Sequence, residues 1–82
     1  MMQVVVHFYS YFKDLAGCAQ TSVTVADIAT IQDLVQLLCE RFPKWAPMQN
    51  SSLIAVGVEY QGRDYVLKPR DEVSLFPPVQ GG

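Results

Sequence analysis

Cysteine, histidine and charge are all scarce in this 82-residue chain, and each scarcity removes a class of function. Cys18 and Cys39 are too few for a disulfide framework and too far apart for a CxxC redox pair or a zinc knuckle. They read as reduced, semi-buried thiols. With one histidine beside them, a four-ligand zinc site would have to recruit carboxylates, and no metal is expected. Only 17% of the residues are charged, the net charge is −2, and the six basic residues are scattered singly. A phosphate backbone needs clustered cations, so nucleic acid is not an expected partner. No uncharged run approaches the roughly 20 apolar residues of a membrane span. The opening Met1-Met2-Gln3-Val4-Val5-Val6-His7 lacks the basic stretch and small-residue cleavage site of a secretory signal, so the expected location is the cytosol.

What is present is apolar. Half of the residues are hydrophobic, which excludes intrinsic disorder. A chain this short is one domain and buries only about 60 to 65% of its unfolded surface. A large enclosed catalytic pocket would consume core that the fold needs, which argues against a self-sufficient enzyme. Some of the apolar surface is expected to face a partner.

Hydrophobic periodicity sets the elements. Residues 2–8 alternate, with Met2, Val4, Val6 and Phe8 on one side, and read as a strand. Phe12, Leu15 and Ala16 suit a short helix over 11–16, with Gly17 placed to end it in a left-handed conformation. Residues 20–25 alternate again, Val23 and Val25 inward. Thr30 followed by Asp33 resembles a capping box, and Ile31, Leu34, Val35, Leu38 and Phe42 then form one helical stripe that Pro43 ends. Residues 45–52 read as loop, 53–60 as one strand weakened at Gly57, 65–67 as a short extended piece, and 72–76 as the final strand.

The order is β, short α, β, long α, β, short β, β. One main amphipathic helix has one face to cover, so the economical solution is a mixed sheet packed on it. That is an α+β fold, a β-grasp or ubiquitin-like roll. The helical crossover is expected to set the first and last strands side by side. The domain spans 1–76, and 77–82 form an extended C-terminal tail.

The tail is Pro77-Pro78-Val79-Gln80-Gly81-Gly82. The prolines lack amide donors and hold extended geometry, stopping the sheet and stiffening the exit direction. Val79 and Gln80 supply apolar and polar contact surface. Gly81 and Gly82 carry no side chains, so their backbone can enter a foreign active site. With Gly82 read as the chain end, its carboxylate is the reactive group at the tip. It is anionic at neutral pH and a poor electrophile, so activation must come from an ATP-using partner. If Val73 and Leu75 face the helix, Ser74 and Phe76 face away, and an aromatic beside two prolines is a natural anchor for a partner. His7, on the polar side of the first strand, reads as a surface residue. Trp45 reads as closing the core, and Asp71 and Glu72 as solvated acids.

The closing run Asp71-Glu72-Val73-Ser74-Leu75-Phe76-Pro77-Pro78-Val79-Gln80-Gly81-Gly82 resembles the end of the small, sulfur-carrying subunits of molybdopterin synthase. A weaker match runs through Val4-Val5-Val6-His7-Phe8-Tyr9, Leu15-Ala16-Gly17 and the helix around Ile31 to Leu38. Two departures are local: the family usually has glycine where this chain has Arg70, and asparagine is common in the strand holding Gly57 and Val58.

The resemblance implies that Gly82 is adenylated by a ubiquitin-activating-like adenylyltransferase/sulfurtransferase and converted to a thiocarboxylate. The tail then enters the synthase large subunit and gives sulfur to a cyclic pyranopterin monophosphate precursor. It further implies Gly81 as the clearance residue, and Phe76, Pro77, Pro78 and Val79 as docking surface with Gln80 in a variable place. The catalytic side chains would belong to the large subunit. No cofactor is expected to be bound by this chain, ATP being used by the activating partner. The competing readings are a protein modifier joined through Gly82 to lysines, a thiamine-pathway sulfur carrier, and a β-grasp interaction module.

Overall fold

A computed structural model describes residues 1–78. The elements are β1 (Met2–Phe8), α1 (Phe12–Ala16), β2 (Gln20–Val25), α2 (Ile31–Arg41), a 3-10 segment (Ala46–Ser51), β3 (Leu53–Val56), β4 (Glu59–Tyr60) and β5 (Glu72–Phe76). They form one five-stranded mixed sheet in the order β2-β1-β5-β3-β4, with α2 across one face. The β-grasp roll is the fold expected from the element order.

The parallel pairing of first and last strands is present, with Val6 opposite Val73 and Phe8 opposite Leu75. That register sets Val4, Val6, Phe8, Val73 and Leu75 on the covered face, all essentially inaccessible to water. Ile31, Leu34, Val35 and Leu38 of α2 meet them from the other side. Burying each such side chain contributes roughly 1.5 to 3 kcal/mol, so the two-layer packing supplies most of the driving force.

The N-terminal end of α2 is fastened locally. Thr30 Oγ1 accepts from the Asp33 backbone N–H at 3.3 Å and the Thr30 N–H donates to Asp33 Oδ2 at 3.0 Å, a complete capping box. The N–H groups of Ile31 and Gln32, which have no partner inside the helix, donate to the carbonyls of Tyr65 and Arg63, each at 3.0 Å. The Arg63 guanidinium bonds Gln32 Oε1 at 2.9 Å and the Gln49 carbonyl at 2.7 Å, tying the helix start to the 3-10 segment.

Three expectations need correction. The stretch read as loop over 45–52 holds the 3-10 segment, opened by Trp45 and by Pro47 in its first turn. The strand read over 53–60 is a hairpin: Val56 pairs with Glu59 around Gly57 and Val58, and Gly57 takes φ +62°, the sign a tight two-residue turn demands of its first residue. The piece at 65–67 joins no strand; Val66 makes a single bridge to Thr30 and the segment lies against the helix start. Gly17 does end α1, at φ +79°.

Candidate functional site

β5 ends at Phe76, and the side chains around that end build an apolar groove beside Pro77 and Pro78. Phe76 lies on the face of the sheet away from α2, in register with Leu53 of β3. Its ring stacks on Tyr9 with centroids 4.7 Å apart and an interplanar angle of 10°. Tyr9 is placed by the same ladder, its N–H donating to the Leu75 carbonyl at 3.2 Å. Ser10 then turns left-handed, at φ +57°, and brings Tyr11 to the same side. Together with Leu53, Tyr60, Pro77 and Pro78 these residues line a groove of ≈ 360 Å³. Tyr60 is 70% exposed, and Tyr9, Tyr11 and Leu53 are also exposed, so an apolar surface with phenolic rims faces solvent where the chain leaves the sheet.

Beside it lies a polar cleft of ≈ 520 Å³ that shares Tyr9 and is bordered by His7, Glu59, Glu72 and Arg70. His7 Nε2 stands 2.9 Å from Glu72 Oε1, across the parallel β1–β5 pair. Arg70, in the position where the resembling family usually has glycine, adopts φ +71°. That left-handed turn lets the neighbouring Asp71 carboxylate accept from the Lys68 N–H at 2.8 Å and the Tyr65 hydroxyl at 3.1 Å. Burial first, and this bond and the Asp71 charge after it, hold the Tyr65 phenol above its ordinary pKa. Burial likewise pushes the Cys39 thiol up, with Arg63 pulling the other way.

Of the residues singled out in the sequence, Phe76, Pro77 and Pro78 are brought together in the apolar groove. Val79, Gln80, Gly81 and Gly82 lie outside the described residues. Asp71, read as solvated, instead closes the turn; Glu72 is exposed as expected and stands beside His7, which is half-buried rather than simply on the surface. Trp45 closes the core with no exposure, in edge contact with Phe8 and Phe12. Cys18 and Cys39 are both free thiols. Tyr11, Leu53 and Tyr60 are not among the site residues expected from the sequence, and Tyr9 stands there only in the run from Val4. Their one available signal was the aromatic pair Tyr9 and Tyr11 directly after a strand that ends beside the last one.

No three His, Cys, Asp or Glu side chains gather as a metal site among the described residues, and no helix there is long and apolar enough to cross a membrane. With that geometry in hand, comparison with known proteins finds that the ThiS family matches residues 6–82. The chain belongs to the ThiS family. The molybdopterin synthase sulfur carrier subunit of Escherichia coli (strain K12) is 34% identical over 77 residues, covering 92% of this chain and 94% of that protein. The solved putative molybdopterin converting factor, subunit 1, of Pyrococcus furiosus is 28% identical. It superposes with a TM-score of 0.88 over 96% of this chain and 100% of that one. SAMP1 of Haloferax volcanii superposes with a TM-score of 0.89 over 98% of this chain and 99% of that one; at 22% identity it attests the shared fold alone. The resemblance drawn from the closing residues thus holds for this ThiS-family chain.

Proposed function

We propose that this chain is the sulfur-carrying subunit of a molybdopterin synthase, working in the cytosol as a subunit without catalytic side chains of its own. The observation that carries this reading is the Tyr9–Phe76 stack at the foot of Pro77 and Pro78, which gives the tail an anchoring surface for a second protein. The name borne by the Escherichia coli relative supports it.

In this reading the Gly82 carboxylate attacks the α-phosphorus of ATP on an activating enzyme and releases pyrophosphate. A sulfur nucleophile then displaces AMP and leaves a thiocarboxylate. Seated on the large subunit through Phe76, Pro77, Pro78 and Val79, with Gln80 bridging and Gly81 giving clearance, the tail passes its sulfur to the pyranopterin precursor: the sulfur displaces an oxygen substituent on a precursor carbon, and water then cleaves the Gly82 carbonyl–sulfur bond and restores the carboxylate. The chain itself binds no cofactor.

The test is the intact mass of the protein after incubation with an activating enzyme, ATP and a sulfur donor. Exchange of one oxygen for sulfur at Gly82 is expected, and a variant with one residue added after Gly82 should show no exchange while keeping its fold. Ladders on other proteins would instead assign a modifier, and full synthase activity of the extended variant would remove the proposal.

A further inference from the structure

The outer face of the sheet dips near its centre. On β5 the residues pointing away from α2 are Glu72, Ser74 and Phe76, and the ladders set Ser74 between His7 of β1 and Ala55 of β3. Ser74 is small, so the polar cleft of ≈ 520 Å³ opens above it inside a rim of taller side chains, His7, Glu72 and Glu59 among them. Ser74 is only 9% exposed, yet among the described residues its hydroxyl makes no hydrogen bond. A nearly buried hydroxyl at the floor of a cleft calls for a polar partner.

Three carboxylates and one guanidinium line the cleft, those of Glu59, Asp71, Glu72 and Arg70. Asp71 is engaged by the Lys68 N–H and the Tyr65 hydroxyl, and Glu72 has given one oxygen to His7. Neither Glu59 nor Arg70 enters an ion pair among the described residues. The excess charge is negative, so the cleft attracts a cation and repels an acidic group. A metal ion is the wrong cation, because no three acidic, histidine or cysteine side chains among the described residues converge to hold one. Acceptors set apart around a floor suit donors that point in several directions. A guanidinium has five N–H donors in one plane, where an ammonium has three at a single point.

The cleft shares Tyr9 with the Tyr9–Phe76 groove, and Ser74 precedes Phe76 by two strand residues, about 7 Å. A protein seated on Phe76 therefore reaches the cleft as well. We propose that the cleft receives an arginine side chain of the protein that docks on the groove, its guanidinium held by Glu59 and Glu72 with Ser74 Oγ accepting from below. This rests on the docking reading given above and adds a charged contact to an apolar one. Arg70 lines the same cleft and opposes the occupant, so removing it acts in the contrary direction to removing an acid.

Binding of the full chain to the large subunit of the proposed synthase is measured by titration calorimetry and stopped flow. Glu59→Gln and Glu72→Gln should each weaken it roughly three- to fivefold, through a slower on-rate and a shallower salt dependence. Ser74→Ala should weaken it about threefold with the salt dependence kept, and Arg70→Gly should tighten it. Circular dichroism checks that each variant keeps its fold. Parental affinity and salt slope in both glutamine variants overturn the proposal. Weaker binding by Arg70→Gly overturns it too, and assigns an acidic group to the cleft.

A second arm needs no partner protein. Nα-acetylarginine amide titrated into the full chain should shift the amide resonances of Glu59, Glu72 and Ser74, saturating in the millimolar range, and Nα-acetyllysine amide should bind several-fold more weakly. Unshifted resonances, or equal binding of the lysine amide, overturn the choice of a guanidinium. If the arginine amide binds and the large subunit does not, the cleft stands and the docking reading falls. If the large subunit binds through Phe76 and ignores both acids, the docking reading stands and the cleft falls.

Discussion

Arg70 shows how one side chain can be at odds with the backbone beneath it. Its φ of +71° is one that L-residues other than glycine occupy at a cost of about 1 to 2 kcal/mol. The turn is retained because Asp71 needs it to receive Lys68 N–H and Tyr65 hydroxyl. Arg70→Gly should therefore stabilise the protein, raising the thermal midpoint by about 4 to 8 °C if close to 1 kcal/mol is recovered. Differential scanning calorimetry reads this directly, and an unchanged or lowered midpoint would mean that the arginine has stabilising contacts outweighing the strain. Phe76 belongs to the same scale. One face of its ring is stacked on Tyr9, and the ring also lines the groove; Phe76→Ala should weaken binding to the large subunit of the proposed synthase by more than about 2 kcal/mol, roughly 30-fold in Kd. Titration calorimetry with an unchanged Kd would make Phe76 a packing residue for Tyr9 and nothing more.

At the level of elements, the long helix and the first, second and last strands were legible because their apolar residues repeat with one period from end to end. The capping box was legible because Thr30 and Asp33 complete it within four residues. The hairpin was not. Leu53 to Val58 is an almost unbroken apolar run, and the turn is made by Gly57 with Val58, a residue that rarely marks a turn and here is 99% exposed. The run hides a reversal that only the sign of one dihedral reveals. Gly57→Ala puts a side chain into open space, with no atom within 4 Å of the new Cβ, so its cost is backbone strain alone. A loss of about 1 to 2 kcal/mol in urea unfolding is expected, with the slope unchanged. The docking groove was half legible for a related reason: Phe76, Pro77 and Pro78 are adjacent in sequence, whereas Tyr9, Leu53 and Tyr60 reach them only through the strand order.

For the whole molecule, the protons held by Tyr65 and Cys39 contribute to how stability responds to alkali. Both groups keep their protons in the folded chain to higher pH than in the unfolded one. Below the ordinary thiol and phenol values, the latter about 10, neither state has lost a proton and the stability is complete. Above them the unfolded chain ionises first, so stability falls as pH rises through the folded values. Urea midpoints should decline on the alkaline side, and Tyr65→Phe should flatten the part above about pH 10. A variant that declines as steeply as the parent would show that the phenol takes no part.

The placement of β5 between β1 and β3 has a consequence for synthesis. The last of these strands in chain order is the one that completes the middle of the sheet, so β1 and β3 are not joined until residues 72–76 have been made. Prematurely terminated products lack the keystone as well as the tip. Without that strand the β1–β2 pair and the β3–β4 hairpin share no ladder, so fragments of that kind should not fold cooperatively.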